Sequence, residues 1–141
     1  MSGILLVKEV MTTNVKTARP FSTVKDVVQK MNKFGIGSVV VVEEDRPVGI
    51  ITERDIMRNI AEQFFDLSLV KVKDIMSTQL VTISGDVSVE EAARLMASRK
   101  IKKLPVVEDE KLVGIVTSMD VMRANPKIVG LLEELLKTKR A

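Results

Sequence analysis

Two short motifs contain the residues best suited to chemistry in this chain. The pattern Gly-x-x-Thr-x-x-Asp occurs at 49–55 and again at 114–120, each time at the end of an apolar run. Such a run predicts a strand, so the threonine lies where a helix would begin. Free backbone N–H groups at a helix start favour a phosphate. A carboxylate one turn later can accept hydrogen bonds from a ribose diol, so the motif suits a phosphorylated nucleoside.

The same spacing also describes a helix N-cap that needs no ligand. Threonine is a common N-cap residue, and an acidic residue in the first turn complements the helix dipole. Gly49 and Gly114 could allow close approach of a ligand, or they could serve a bulge or tight packing. Duplication does not separate these interpretations, because a structural requirement would be copied as well. Spacing alone favours the cap and leaves a ligand role open.

Composition excludes several kinds of active site. The chain contains no Cys and no His. Disulfides are therefore impossible, both preferred zinc ligands are missing, and Ser–His–Asp or Cys–His catalysis is excluded. Neither half contains the Gly-x-x-x-x-Gly-Lys pattern of a P-loop. We therefore expect no enzymatic activity, no metal and no obligatory cofactor.

Charge and hydropathy bear on the possible partners. The formal net charge is only +3, and four Phe are the only aromatic residues. Both observations argue against a nucleic-acid binder, which would need a basic surface and rings for base stacking. The basic segments 100–103 and 137–140 are interpreted first as solvated faces. The apolar run 3–7 is too short for a signal peptide or a membrane span, so we expect a cytoplasmic protein without a membrane partner.

An internal duplication organises the sequence. The segment that starts at Lys8, KEVMTTNVKT, aligns with the segment that starts at Lys73, KDIMSTQLVT. The alignment continues without a gap to Ile60 and Asn125. The predicted divisions are repeat 1 over 1–66, repeat 2 over 67–125 and a C-terminal amphipathic helix over 126–141.

Periodicity predicts the order βαββα within each repeat. Apolar residues at helical spacing begin at Val24 and again at Val89, with Ser22 or Thr23 and then Ser88 as candidate caps. Two Val- and Ile-rich runs separated by a polar stretch predict a hairpin in each repeat. A short strand precedes the first helix, and a second helix follows each motif threonine. The predicted strands are 14–17, 39–42 and 48–51, then 80–83, 104–107 and 112–116.

Three strands and two helices cannot bury both faces of a sheet by themselves. We therefore expect an α/β (α+β) protein in which two pseudo-symmetric repeats pack sheet to sheet as one module. In the C-terminal helix, Pro126 suits the first turn. Its apolar stripe could pack on its own domain or form a dimer contact. The stripe consists of Ile128, Val129, Leu132, Leu135 and Leu136.

The duplicated motif resembles that of the CBS-domain family. In that family a strand ends in Gly-x-x-Thr/Ser-x-x-Asp and follows an apolar strand that often reads Leu-Pro-Val-Val. Residues 104–107 match that text, and 38–42 are a weaker counterpart. The resemblance extends over about 8–125 and occurs twice at one offset. It implies a stand-alone tandem pair of CBS repeats, which is a regulatory module.

The resemblance also implies two related sites in a cleft between the repeats, for an adenosine-containing ligand. Asp55 and Asp120 would hold ribose hydroxyls, with Thr52 and Thr117 near the ribose or the first phosphate. Backbone groups of 17–19 and 82–84 would line the base edge, and 36–39 and 101–105 would flank the base. These segments include Thr17, Arg19, Ile36, Ser38, Thr82, Ile101 and Pro105.

The two copies diverge at positions that often face phosphates in this family. Arg54 lies within the first motif, where the second has Met119. Lys102 and Lys103 precede the second apolar strand, where the first repeat has no basic residue. We take Arg54, Lys102 and Lys103 as candidate phosphate ligands, with solvated charges as the alternative. Met119 would tolerate an apolar or sulfonium group, although a Met more often fills a core.

The resemblance implies a sensor that binds AMP, ADP or ATP and regulates a separate partner protein. S-adenosylmethionine and NAD are the alternative ligands. A homodimer is expected, because CBS pairs commonly form one. A nucleic-acid-binding pair and a purely structural pair remain the alternatives of another class.

Overall fold

A computed structural model describes residues 3–62, 66–130 and 132–133. It confirms the predicted fold class, a mixed α/β protein with two three-stranded sheets and accompanying helices. Short 3-10 turns lie at Val72–Asp74 and Pro126–Ile128. The other elements are α1 (Val7–Val10), β1 (Thr17–Ala18), α2 (Val24–Phe34), β2 (Ser38–Glu43), β3 (Arg46–Thr52), α3 (Glu53–Glu62), β4 (Ile83–Ser84), α4 (Val89–Arg99), β5 (Lys103–Glu108), β6 (Lys111–Thr117) and α5 (Ser118–Ala124).

Contacts divide the chain into two compact units. The first-sheet unit is Lys16–Leu80 and holds β1, β2 and β3. The second-sheet unit consists of Met1–Val15 together with Val81–Ala141 and holds β4, β5 and β6. The segment that leads each sequence repeat therefore belongs to the unit built on the other repeat's sheet. The division at 1–66, 67–125 and 126–141 describes the duplication and stays a prediction.

Both sheets share one topology. In the first, β1 runs parallel to β2 and β3 runs antiparallel to it, with Thr17 opposite Val40 and Ser38 opposite Thr52. The second sheet repeats this register. Because β3 returns along β2, the starts of β1 and β2 and the end of β3 lie together at one end of the sheet. We call this the motif end, since it holds Thr52 in one sheet and Thr117 in the other.

The hairpins close with tighter turns than the polar stretches predict. Only Glu44 and Asp45 form the first turn, with φ of 53° and 66°, and Asp109 and Glu110 form the second, with φ of 52° and 66°. Positive φ at both central residues is the signature of a type I′ turn, whose twist matches that of the strands. The strands therefore extend further into the polar stretches than expected.

The main helices begin with the predicted caps. Thr23 Oγ1 accepts from the Asp26 amide at 3.1 Å, and Ser88 Oγ accepts from the Glu91 amide at 3.0 Å. One face of each helix packs on its own sheet and forms a core of aliphatic side chains and methionine. The fully or nearly buried members include Val24, Val27, Met31, Val39, Val41 and Ile51 in the first unit and Val89, Ala93, Met96, Leu104, Val106 and Val116 in the second.

A leading segment completes each unit, namely residues 7–12 in the second-sheet unit and residues 72–77 in the first-sheet unit. Thr12 exchanges two backbone hydrogen bonds with Ile115 of β6, both with N–O distances of 2.9 Å. Ser77 exchanges two with Ile50 of β3, at 2.9 and 3.0 Å. Upstream in these segments, Val7 and Val72 are each 0% exposed, so both segments contribute to the cores.

The C-terminal stripe is described only in part. Pro126 lies in the first turn, as predicted. Ile128 and Leu132 are buried in the core of the second-sheet unit, whereas Val129 is exposed. The described part of the stripe therefore packs mainly on its own unit, and Leu135 and Leu136 lie outside the described residues.

Candidate functional site

The motif end of the first sheet brings together several residues predicted for the first site. Thr52 ends β3 and lies opposite Ser38, the first residue of β2. Arg54 and Asp55 follow in the first turn of α3, and Thr17 begins β1. The antiparallel return of β3 therefore places a hydroxyl, a carboxylate and a guanidinium group near the start of the parallel pair.

Thr52 and Asp55 form a reciprocal N-cap for α3. The Asp55 amide donates to Thr52 Oγ1 at 3.1 Å, and the Thr52 amide donates to Asp55 Oδ2 at 2.9 Å. Thr117 and Asp120 repeat the arrangement for α5, with distances of 3.1 and 3.0 Å. The capping interpretation of Thr-x-x-Asp is thus confirmed in both repeats.

The cap leaves part of each carboxylate available. Among the residues that the structure describes, no partner hydrogen-bonds Oδ1 of Asp55 or of Asp120. Both side chains are half-buried, and the cap holds each carboxylate in one orientation. An oriented acceptor of this kind can accept a hydrogen bond from a hydroxyl group, so capping and ligand binding are compatible roles for one residue.

The motif glycines serve close packing of the protein on itself. A Cβ on Gly49 would lie 2.8 Å from Met76 Sδ and 2.9 Å from the Ser77 carbonyl oxygen. A Cβ on Gly114 would lie 2.5 Å from Met11 Sδ and 3.0 Å from the Thr12 carbonyl oxygen. Each leading segment thus crosses a strand where only glycine fits. Of the two explanations that the sequence allowed, these contacts support tight packing.

Of two further first-site residues, Arg19 lies away from the motif end and Ile36 lies beside it, two residues before Ser38. Arg19 follows the far end of β1, where its amide donates to Ser22 Oγ at 3.2 Å and its side chain is exposed. Ile36 is half-buried and lines a cavity of about 510 Å³ between α2 and α3. The cavity is mainly apolar, with Gly37, Glu53 and Asn32 among its walls, and the other predicted site residues do not line it.

The residues of the second site vary in exposure. Lys102 is exposed and its carbonyl accepts from the Ser118 amide at 2.9 Å, which joins the start of α5 to the start of β5. Lys103 is half-buried, and Pro105 is buried in β5 opposite Ile115. Met119 is 55% exposed, so it does not fill the core. Thr82 is exposed, Ile101 is half-buried, and Thr117 and Asp120 form the cap described above.

A group of lysines at the first sheet was missed by motif reasoning. Lys30 of α2 donates to the carbonyl oxygen of Thr17. Lys16 Nζ lies 4.2 Å from the centroid of the Phe34 ring, and Lys33 Nζ lies 5.4 Å from it. The signal that could have revealed them is a mismatch between the repeats, since Lys16 and Lys30 align with Val81 and Leu95.

The described ranges contain neither a cluster of metal ligands nor a membrane-spanning helix. No group of three or more acidic residues there could hold a metal ion. No helix within those ranges is long and apolar enough to cross a bilayer.

Comparison with known proteins decides the family. The model of the CBS domain matches twice, over residues 7–62 and 72–127. The chain belongs to the CBS-domain family. It is a tandem CBS pair, which is a regulatory type of module.

Individual relatives agree with this assignment. An uncharacterized protein of Methanopyrus kandleri, MK0525, is 42% identical over 133 residues, which are 93% of this chain and 68% of that protein. A hexameric CBS-CP12 protein from bloom-forming cyanobacteria has a similar structure, with a TM-score of 0.75 and 32% identity over 92% of this chain and 77% of that one. MJ1225 of Methanocaldococcus jannaschii, a proposed archaeal homologue of γ-AMPK, has a TM-score of 0.76 and 27% identity over 85% of this chain and 47% of that one.

Proposed function

We propose that this CBS pair senses an adenosine-containing ligand, with AMP, ADP or ATP as the first candidates, and regulates a separate protein. The observation that carries the proposal is the repeated Thr–Asp cap, in which one carboxylate oxygen remains available to a ligand. Membership of a regulatory family supports it, as does the likeness to the proposed γ-AMPK homologue.

In the proposed first site, Asp55 accepts from the ribose hydroxyls and Thr52 lies near the ribose or the first phosphate. Arg54 is exposed in the first turn of α3, where it can reach a phosphate. In the second site, Asp120 and Thr117 take the equivalent roles, and Lys102 and Lys103 are the proposed phosphate ligands. Ile36 and Ser38 would flank the base in one site, and Ile101 and Pro105 would flank it in the other. Backbone groups of Thr17, Arg19 and Thr82 would line the base edge.

A second candidate ligand is favoured by Met119. This side chain is exposed at the start of α5, where α3 carries Arg54. A thioether there contributes no positive charge against a sulfonium or an uncharged group. S-adenosylmethionine is therefore the proposed alternative for the second site, with NAD as a further one.

Assembly as a homodimer is part of the proposal. Part of the support comes from a structurally similar CBS protein that is itself an oligomer, the hexameric CBS-CP12 protein. Sedimentation of the full chain with and without ligand would measure the oligomeric state and any change that the ligand causes.

The proposal predicts that asparagine at either motif aspartate weakens ligand binding at that site without unfolding the protein. In Asp55→Asn and Asp120→Asn the amide oxygen can keep the cap, whereas the remaining acceptor oxygen becomes an NH₂ donor. The ribose hydroxyl then has no ionised oxygen to which it can donate, so binding at that site should weaken by about tenfold or more. Calorimetric titration with AMP, ADP, ATP, S-adenosylmethionine and NAD would measure this loss.

Thr23→Ala provides the matched control. It removes the N-cap of α2, so it should lower thermal stability while leaving ligand affinity within about twofold of the parent. The proposal is wrong if none of the five ligands binds the parent protein. It is also wrong if the aspartate variants bind as tightly as the parent.

A further inference from the structure

Three lysines meet beside the first strand of the first sheet. Helix α2 connects the end of β1 to the start of β2, so its last turns return to the motif end. There Lys30 donates to the Thr17 carbonyl oxygen, and the ring of Phe34 has Lys16 and Lys33 within 5.4 Å of its centroid. We call Lys16, Lys30 and Lys33 the lysine cluster.

The positive charges of the lysine cluster are not offset by salt bridges within the described residues. Among the residues that the structure describes, no carboxylate forms an ion pair with any of its three members. Lys16 and Lys30 are nevertheless half-buried. The Lys30 ammonium contacts a backbone carbonyl and the Lys16 ammonium contacts a ring, and neither partner carries a negative charge. Positive groups that gather without a neutralising carboxylate favour the arrival of an anion.

The other repeat shows that the fold does not require these lysines. The positions equivalent to Lys16 and Lys30 are Val81 and Leu95, which pack against the core of the second-sheet unit. The first repeat thus gives up apolar packing at two positions and places positive charge there instead. This difference is specific to one repeat, so it cannot be attributed to a need shared by both.

The cluster is also oriented by its surroundings. Phe34 is 42% exposed, and Lys16 lies against its ring at a distance suited to a cation–π contact. A ring in contact with an ammonium group is less available for stacking on a base. Lys30 has three N–H donors and uses one on the Thr17 carbonyl, which leaves two for a ligand.

We propose that the lysine cluster binds a phosphate group. A compact ammonium group is a common phosphate ligand, and several of them suit an anion that carries more than one charge. The phosphate can belong to the nucleotide of the proposed first site, in which case this inference rests on the proposed function. It can instead be a free inorganic phosphate or pyrophosphate held beside β1.

The test replaces two lysines with the residues that the second repeat carries. Lys16→Val and Lys30→Leu are combined in one variant, and Lys25→Leu removes one exposed positive charge at the other end of α2 as a control. Calorimetry would measure the binding of pyrophosphate, adenosine, AMP and ATP to the full chain. Thermal melting would show that both variants remain folded.

We expect the double variant to lose about tenfold or more in affinity for pyrophosphate or ATP, because at least one charged hydrogen bond is removed. Adenosine affinity and all affinities of Lys25→Leu should stay within about twofold of the parent. A reduced ratio of ATP to AMP affinity would identify the nucleotide as the source of the phosphate. Weaker pyrophosphate binding with an unchanged ratio would identify a free anion.

Two results would overturn the inference. One is parental affinity of the double variant for both pyrophosphate and ATP, and the other is a parent protein that binds no phosphate compound. Failure of the proposed function looks different. In that case no adenosine compound binds the parent protein. Pyrophosphate still binds, its affinity depends on Lys16 and Lys30, and Asp55→Asn leaves that affinity unchanged.

Discussion

Gly49 shows how a residue that suits a ligand can serve the fold. Met76 and Ser77 pass so close to β3 that a Cβ added to Gly49 would collide with the Met76 sulfur and the Ser77 carbonyl oxygen. Gly114 has the same relation to Met11 and Thr12. In each motif the glycine therefore admits the leading segment, while the threonine and aspartate cap the next helix.

Alanine at either glycine should destabilise the protein. The methionine side chain can move, but the carbonyl oxygen belongs to a backbone that is hydrogen-bonded to the same strand. Overpacking of this kind costs about 1–3 kcal/mol in the free energy of unfolding. Urea denaturation of Gly49→Ala and Gly114→Ala would measure it.

Gly3→Ala is the control for this prediction. A Cβ at that position would meet nothing within 4 Å, so its stability should stay within about 0.5 kcal/mol of the parent. Unchanged stability of Gly49→Ala would show that the leading segment does not need the close approach.

Sequence reasoning could identify the motif residues but not all the charged groups beside them. The spacing of Thr52 and Asp55 predicts a cap and a ligand contact together, and the structure shows how one carboxylate can serve both. Lys16 and Lys30 belong to no motif and are far apart in the sequence from Thr52. Lys30 reaches Thr17 only because α2 reverses the chain direction, and Lys16 comes to the same sheet as Thr52 only because β1 and β3 both pair with β2. Both placements depend on tertiary packing rather than on local pattern.

At the scale of elements, the two long helices end in the same left-handed conformation with different residues. Gly35 follows α2 with φ of 63°, and Lys100 follows α4 with φ of 56°. Glycine adopts this conformation without steric cost, whereas a residue with a Cβ does not. The chain therefore contains an optimised helix end and a strained one in equivalent positions.

Lys100→Gly should stabilise the protein. The left-handed conformation costs an ordinary residue about 1–2 kcal/mol, and the extra backbone freedom of glycine in the unfolded chain offsets about 0.5–1 kcal/mol of the gain. We expect a net gain of about 0.5–1 kcal/mol in the free energy of unfolding. Chemical denaturation would measure it.

Gly35→Ala is the reciprocal variant, and its free energy of unfolding should be about 1 kcal/mol lower than that of the parent. Space does not explain that loss, because a Cβ there would meet nothing within 4 Å. Lys100→Ala retains the Cβ, so its free energy of unfolding should match that of the parent. If Lys100→Gly were less stable than Lys100→Ala, the backbone conformation would not be the cause.

Elements with a strong pattern were predictable and short ones were not. The helices α2 and α4 and both hairpins follow from apolar spacing, and their caps follow from Thr23 and Ser88. The helix α1 and the 3-10 turn at Val72–Asp74 are too short to show a period, so their role in the cores appears only in three dimensions. The hairpin turns were predicted too wide, because the sequence lacks the Asn-Gly pair that marks a type I′ turn.

For the whole molecule, the boundaries of folding units differ from those of the duplication. A fragment of residues 16–80 contains Val72, Ile75 and Met76, which pack in the first-sheet core. A fragment of residues 1–66 follows the predicted repeat but lacks all three. Its own leading segment belongs to the other unit.

We expect fragment 16–80 to unfold more cooperatively and at a higher temperature than fragment 1–66, because only fragment 16–80 retains the segment that completes the core. The two fragments have nearly the same length, so the comparison isolates the effect of the segment that completes the core. Circular dichroism at increasing temperature would measure both. Equal cooperativity of the two fragments would contradict the division into these units.

The placement of the N-terminal segment has a consequence for synthesis on the ribosome. The first-sheet unit is contiguous and is complete once Leu80 has emerged, so its core can begin to form while translation continues. Thr12 must wait for Ile115, a contact that spans most of the chain and therefore forms late. Until then Val7 and Met11 lack their partners in the second-sheet unit. Residues 7–12 are thus synthesised before the first-sheet unit but are packed after it.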